Sequence, residues 1–242
     1  MTDVLAAARA LTSSGRTGAL VTVIHGDRGG TRFLIDAAGE VLAGDPGETF
    51  PAVVASEVRR RIETESAGVA AAGGVETFVD VIVPPPTLRL FGAGPVAEAL
   101  CTLAARAGFG VVVGDPRLAH ARPERFPDAT SVMCGWPDDL VAALPFDRRS
   151  FVVSLLHTER FEDVLLPLAL RSEARYIGAL GSRKTHAARV ERLLAAGFDI
   201  AAIERIHGPV GLSIGAVTPE EIAVAILAEM VSVRRGFSLG RA

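Results

Sequence analysis

The chain is poor in several residue types, and each shortage closes off a class of function. It carries 2 cysteines, Cys101 and Cys134, far apart in sequence, which argues against a disulfide framework or a paired zinc motif. Its 1 tryptophan, Trp136, and 1 tyrosine, Tyr176, are too few for the aromatic platform on which single-stranded nucleic acid stacks. Lysine is nearly missing, Lys184 being the only one among 25 basic residues. Against 28 acidic residues these leave a formal net charge of −3, with no global attraction for nucleic acid. No apolar run reaches the length that spans a bilayer. Met1-Thr2-Asp3-Val4-Leu5 shows no basic segment followed by an apolar one, so a cytoplasmic protein without a secretory signal, a membrane partner or a nucleic-acid partner is expected.

What the chain does have is apolar bulk. Of its 242 residues 49% are hydrophobic and 22% charged, enough for one large domain or two modest ones. Thr2 or Asp3 caps a short helix with Val4, Leu5, Ala8 and Leu11 on one face. Segments 18–25, 32–36 and 40–43 read as strands around glycine turns, and 50–62 as a helix. That helix buries Phe50, Val53, Val54, Val58 and Ile62 and turns Arg59, Arg60 and Arg61 to solvent. A small-residue stretch, 67–74, leads to a strand over 76–83, and Pro84-Pro85-Pro86 cannot continue a ladder. The domain boundary is placed there, giving domains 1–84 and 87–242.

The second domain opens on the most informative stretch. Leu88 to Phe91 has strand character and runs into Gly92-Ala93-Gly94-Pro95-Val96-Ala97, after which Val96, Leu100, Leu103 and Ala104 recur at helical spacing. In a dinucleotide fold Gly92 permits the tight turn, Gly94 lets backbone approach a pyrophosphate, and Ala97 packs the helix closely on the strand. Pro95 suits the first helical position, and the open amides at that helix start face an anion. A second strand ends in Asp115, about 20 residues past the glycines, where such folds place the acid that binds ribose hydroxyls. Asp115 equally suits the turn Asp115-Pro116-Arg117. Strands over 130–134, 151–156 and 176–180 each precede a helix. This alternation predicts an α/β fold: a Rossmann-like doubly wound parallel sheet, ligand groups at the carboxyl ends of its strands, preceded by a small α+β domain. Thr218-Pro219-Glu220-Glu221 starts an apolar last helix, which is compatible with a homodimer.

Other candidates each carry two readings. Gly181-Ser182-Arg183-Lys184 opens a helix after a strand, so Ser182 caps it while backbone amides and Arg183 meet an anion; alternatively it is an ordinary capped helix with solvated cations. His157, just past a strand, would donate to a ligand phosphate or act as a base, or else bond the backbone. His207 opens a glycine–proline loop that either closes over a ligand or braces the last helix. Cys134 ends a strand where a thiol would face a metal centre or lie buried as a small hydrophobe; Cys101 reads as core. His25, His120 and His186 show no ligand spacing. Neither a catalytic residue nor a metal ligand is assigned.

Several motifs, in order, resemble the XdhC/CoxI family: Gly178-Ala179-Leu180-Gly181-Ser182-Arg183-Lys184-Thr185, Ala195-Ala196-Gly197-Phe198, His207-Gly208-Pro209-Val210-Gly211 and Thr218-Pro219-Glu220-Glu221. The resemblance runs from the glycine fingerprint to about Arg235. It implies a small N-terminal XdhC/CoxI domain before a Rossmann domain, and a maturation factor that binds the molybdenum cofactor, as molybdopterin or its dinucleotide form. Such a factor protects the cofactor during sulfuration, alongside a cysteine desulfurase, and delivers it to an apo molybdenum hydroxylase of the xanthine dehydrogenase type. The binding set it suggests is Gly92, Gly94, Pro95, Asp115, Arg117, His157, Gly181, Ser182 and Arg183. The N-terminal half departs from the family: the turn that usually carries Gly-Gly-Cys and an acid reads Ala43-Gly44-Asp45-Pro46-Gly47-Glu48, without the cysteine. The rival is an NAD(P)-dependent oxidoreductase, with Asp115 favouring NAD and Arg117 leaving NADP open, although no proton-transfer constellation stands out. A third reading is a relative that binds the hydroxylase through its N-terminal domain and carries no cofactor.

Overall fold

The computed structural model of this chain describes residues 3–26, 28–47, 52–72, 74–156 and 158–237, with the backbone alone at 52–54 and 72. Thr2, Glu48, Phe50 and His157, and the side chains of Val53 and Val54, lie outside the described part. The chain divides into two compact units, one running to Pro84 and grouped with Arg234–Phe237, the other Pro85–Val233.

The first unit contains α1 (Val4–Ser13), β1 (Gly18–His25), β2 (Arg32–Asp36), β3 (Val41–Gly44), α2 (Ala52–Thr64), β4 (Gly68–Ala72) and β5 (Val75–Ile82). Its strands form a five-stranded antiparallel sheet in the order β3-β2-β1-β5-β4. Asp3 caps α1 by accepting the Leu5 N–H. Alternation along β1 sends Ala19, Val21 and Val23 to the face packed by Val58 and Ile62 of α2, and Leu20 to the face packed by Ala8 and Leu11 of α1. The small-residue stretch proves to be a strand. Gly68-Val69-Ala70-Ala71-Ala72 has little intrinsic β preference and is held by its register on β5, from Gly68 opposite Val79 to Ala72 opposite Val75. Arg61 Nη2 donates to the Val69 carbonyl at 2.8 Å, which occupies one acceptor on this edge strand.

The second unit contains β6 (Thr87–Phe91), α3 (Pro95–Arg106), β7 (Gly110–Asp115), β8 (Ser131–Cys134), α4 (Pro137–Ala143), β9 (Ser150–Ser154), α5 (Glu159–Leu170), β10 (Tyr176–Ala179), α6 (Arg183–Ala195), α7 (Ile200–Ile203), β11 (Ile206–His207) and α8 (Pro219–Arg234). The six strands are parallel, in the order β11-β10-β9-β6-β7-β8. Leu88, Leu90, Val111, Val113 and Val153 point to the face covered by α3 and α8. Phe91, Val152, Ile177 and Ala179 point to the face covered by α4, α5 and α6. This is the doubly wound sheet that the alternation predicts. The winding runs outward through β7 and β8, returns to β9 beside β6, and runs the other way through β10 and β11, so its direction reverses between β6 and β9.

One buried carboxylate ties the far side of this unit together. Glu229 of α8 accepts from Tyr176 Oη at 2.6 Å, bonds His207 Nδ1 at 2.9 Å and accepts the Gly211 N–H at 2.8 Å. Burial pushes its pKa up, but the bonds from His207, Tyr176 and Gly211 outweigh that and hold it below the ordinary glutamate value. A depressed folded pKa contributes stability above the unfolded value, about 4.3 for glutamate, and that stability is lost as pH falls through the folded pKa. Glu229→Gln is expected to cost about 1–3 kcal/mol in urea unfolding at neutral pH and to flatten the loss of stability on acidification below about pH 4. An unchanged acid limb would place the titrating groups elsewhere.

Candidate functional site

In open parallel sheets the crossovers on either side of a winding reversal leave in opposite directions and open a crevice at the carboxyl ends of the strands. Here that crevice lies at the ends of β6 and β9. The β6 turn is locked from both sides. Gly92 has φ +104°, and a Cβ there would lie 2.9 Å from the carbonyl carbon and oxygen of Leu155, just past β9. Its N–H donates to the Gly114 carbonyl of β7 at 2.8 Å. Only glycine meets both conditions. Gly94 is the opposite case: its φ is −92°, and a Cβ there would meet nothing within 4 Å. Pro95 follows at the first turn of α3. Among the described residues, no acceptor meets the N–H groups of Gly94, Val96 or Ala97. Open space over unpaired helix-start amides is a cradle for an anion.

Asp115 is engaged in the turn Asp115-Pro116-Arg117, the second of its two readings. It is 0% exposed, and its Oδ2 accepts the Ala93 N–H at 2.8 Å while Oδ1 accepts the Arg117 N–H at 2.9 Å. Arg117 then closes a bidentate pair on it, Nε to Oδ1 at 2.9 Å and Nη2 to Oδ2 at 2.8 Å. Burial raises this carboxyl's pKa, but the Arg117 guanidinium and the two amides bring it below the usual aspartate value. The acid therefore pins the glycine turn to β7, and the half-exposed Arg117 guanidinium is the group turned outward.

A second turn lies at the end of β10, one strand beyond β9. Gly181 has φ +141°. Ser182 caps α6 by accepting the Thr185 N–H at 3.1 Å, and Thr185 Oγ1 accepts the Ser182 N–H at 3.3 Å. Arg183 and Lys184 are exposed in the first turn. Two strand spacings, roughly 10 Å, separate the two turns, and the exit of β9 at Leu155 and Leu156 runs between them. An open cleft of ≈ 300 Å³ lies at the second turn, lined by Leu156, Thr158, Glu159, Glu162, Leu180, Gly181, Thr185, Arg189 and Arg192. Gly92 and Gly94 are not part of its lining.

Beneath the cleft is an ion pair that the motifs did not reveal. Arg189, 1% exposed, donates from Nε to Glu162 Oε2 at 3.0 Å and from Nη2 to Glu162 Oε1 at 2.9 Å. The same Nη2 donates to the Leu180 carbonyl at 2.8 Å, and Arg192 Nη2 reaches Glu162 Oε2 at 3.2 Å. The pair thus ties the β10 exit to α5. One signal was readable: Arg189 lies four positions before Leu193, on the apolar face of α6, and a charge on such a face implies a buried partner.

The remaining candidates separate. His207 and Gly211 are held on Glu229, and Leu212 N–H donates to the Ala225 carbonyl at 3.2 Å, so this loop braces α8. Cys101 is buried with its thiol pushed up to about 11 by burial and by Asp128. Cys134 is exposed at the carboxyl end of β8 with Sγ 3.8 Å from the Pro116 carbonyl. Among the described residues, no three His, Cys, Asp or Glu side chains gather as metal ligands, and no helix is long and apolar enough to cross a membrane.

The profile of the XdhC Rossmann domain matches residues 88–230, a stretch that holds both turns and the buried ion pair. The chain belongs to the XdhC family. It is 35% identical over 158 residues to a probable xanthine dehydrogenase subunit of Bacillus subtilis (strain 168), covering 65% of this chain and 46% of that one. It is 28% identical over 151 residues to the molybdenum cofactor insertion chaperone PaoD of Escherichia coli (strain K12), covering 62% of this chain and 41% of that one. The chain thus spans less than half the length of these two relatives. A crystal structure of a xanthine dehydrogenase from Bacillus halodurans superposes with a TM-score of 0.73 at 28% identity, over 96% of this chain and 66% of that one.

The geometry of this XdhC-family site predicts a contrast between its two glycines. Gly92→Ala is expected to destabilise the fold by about 2–4 kcal/mol through left-handed strain and the Leu155 clash, whereas Gly94→Ala stays within about 0.5 kcal/mol of the parent. Equal effects in urea melts would contradict the turn geometry. For the ion pair, Arg189→Met and Glu162→Gln are each expected to cost about 3–5 kcal/mol. The double variant should cost clearly less than their sum, and strict additivity would count against direct coupling.

Proposed function

We propose that this chain is a maturation factor that holds the molybdenum cofactor and passes it to an apo molybdenum hydroxylase of the xanthine dehydrogenase type. The observation that carries the reading is the open amide cradle at Gly94, in a chain of the XdhC family one of whose relatives, PaoD, is a molybdenum cofactor insertion chaperone. The cofactor's phosphate suits that cradle: unpaired amides of Gly94 and Val96, the start of α3, and the outward Arg117 guanidinium all favour an anion. Asp115 acts behind them, fixing Ala93 and Arg117. Gly181, Ser182 and Arg183 form the second wall. When bound, the group carries the metal centre that the client uses for hydroxylation; the chain's own residues hold the phosphate, keep the β9 exit in place and leave the carboxyl edge of the sheet open for transfer.

In this reading residues 1–84 form an XdhC/CoxI-like domain that engages the client in the cytoplasm, and a cysteine desulfurase sulfurates the cofactor while it is held. The oxidoreductase alternative is weakened by Asp115, whose oxygens are buried and already engaged by Ala93 and Arg117. Protein purified from cells that make the cofactor is expected to release pterin and molybdenum in stoichiometric amounts, with most of both lost in Gly94→Val; a Cβ there meets nothing within 4 Å, and a thermal melt checks that the variant is folded. Clean parent protein that carries neither, and takes up neither on incubation with the cofactor, would defeat the proposal.

A further inference from the structure

The cleft at the second turn does not have the chemistry of a phosphate site. Its charged lining balances, Glu159 and Glu162 against Arg189 and Arg192. Both guanidinium groups are already engaged: Arg189 on Glu162, the Leu180 carbonyl and His186, Arg192 on Glu159, Glu162 and Asp163. A phosphate entering here would have to compete with carboxylates for most of those donors, and with His186 and the Leu180 carbonyl for the rest. What the cleft does offer is different. Leu156 and Leu180 supply apolar wall, while the Thr158 hydroxyl has no partner among the described residues and Glu159 Oε2 accepts nothing, only its Oε1 being used by Arg192. Glu159 lies in the first turn of α5. Unused acceptors beside apolar walls suit a flat, uncharged ring that brings its own N–H donors.

Resting on the cofactor reading above, we infer that this cleft takes the ring system of the pterin, with the amino and ring N–H edge on Glu159 and the Thr158 hydroxyl, and leaves the phosphate to the α3 turn. The two places are contiguous through the β9 exit. A Cβ on Gly92 would sit 2.9 Å from Leu155 and 3.2 Å from the Leu156 nitrogen, and Leu156 is also cleft wall. One elongated guest spans both, its charged end on main-chain amides and its neutral end between leucines. The volume of ≈ 300 Å³ accommodates a fused ring, at the lower limit of small-molecule pockets.

The test uses the full chain, fluorescence titration and two probes: neopterin, which has the ring and no phosphate, and neopterin monophosphate. Neopterin affinity is expected to fall about tenfold in Glu159→Gln and about threefold in Thr158→Val, and to be indifferent to added inorganic phosphate. Neither cleft variant threatens the fold, because the Glu159 side chain is 72% exposed and Thr158 makes no side-chain capping bond; a thermal melt checks this. Neopterin binding that ignores both cleft substitutions, or that inorganic phosphate displaces, overturns the assignment of the ring. If the monophosphate binds through Gly94 while neopterin does not bind, the ring assignment fails and the cofactor reading stands. If neither probe binds, the cofactor reading falls and this assignment with it.

Discussion

The site depends on a topological constraint: where the winding reverses between β6 and β9, no crossover helix closes the end of the sheet. Polar recognition there has to come from the backbone where it leaves the strands, and backbone can serve only if its path is fixed. Gly92 fixes it by having no side chain, since a Cβ would overlap the Leu155 carbonyl. The Gly94 and Val96 amides beyond it are then left without acceptors, available to a guest.

Two buried acids do the fixing, and each spends its charge on the chain itself. Asp115 holds the Ala93 amide and the Arg117 guanidinium; Glu162 holds Arg189, which holds the Leu180 carbonyl at the next exit. A carboxylate removed from water must be filled with donors or be neutralised, so these acids are restrained by the groups they restrain. The outcome is a pair of turns with settled geometry on either side of the β9 exit. One faces out with spare donors, the other borders a cleft with spare acceptors. This asymmetry orients an elongated guest, and it would be lost if both turns carried surplus cations.

Much of this was legible in the residues alone. The strand, glycine turn and helix at 87–106 follow from local sterics, the Ser182 and Thr218 helix starts follow from side-chain to amide bonding, and the doubly wound sheet follows from alternation of strand and helix. What was not legible depends on tertiary neighbours. Spacing places an acid after β7 but cannot say which way it faces; burial under the turn decides that. Arg189 on the apolar face of α6 implies a buried partner, but nothing along the chain names Glu162 of α5 as that partner. β4 is spelled Gly-Val-Ala-Ala-Ala and becomes a strand only because β5 offers it an edge, and the two-residue β11 is shorter than any periodicity can register.

The central claim is that the start of α3 is a set of open amides held ready by Asp115, and amide hydrogen exchange across 92–98 tests it most directly. In the free protein the Ala93 amide, bonded to a buried carboxylate, is expected to exchange slowly while Gly94 and Val96 exchange fast. Addition of a pterin phosphate should slow those two and leave Ala93 as it was. Rapid exchange at Ala93 in the free chain, or no slowing at Gly94 and Val96 with the ligand in excess, would contradict the account.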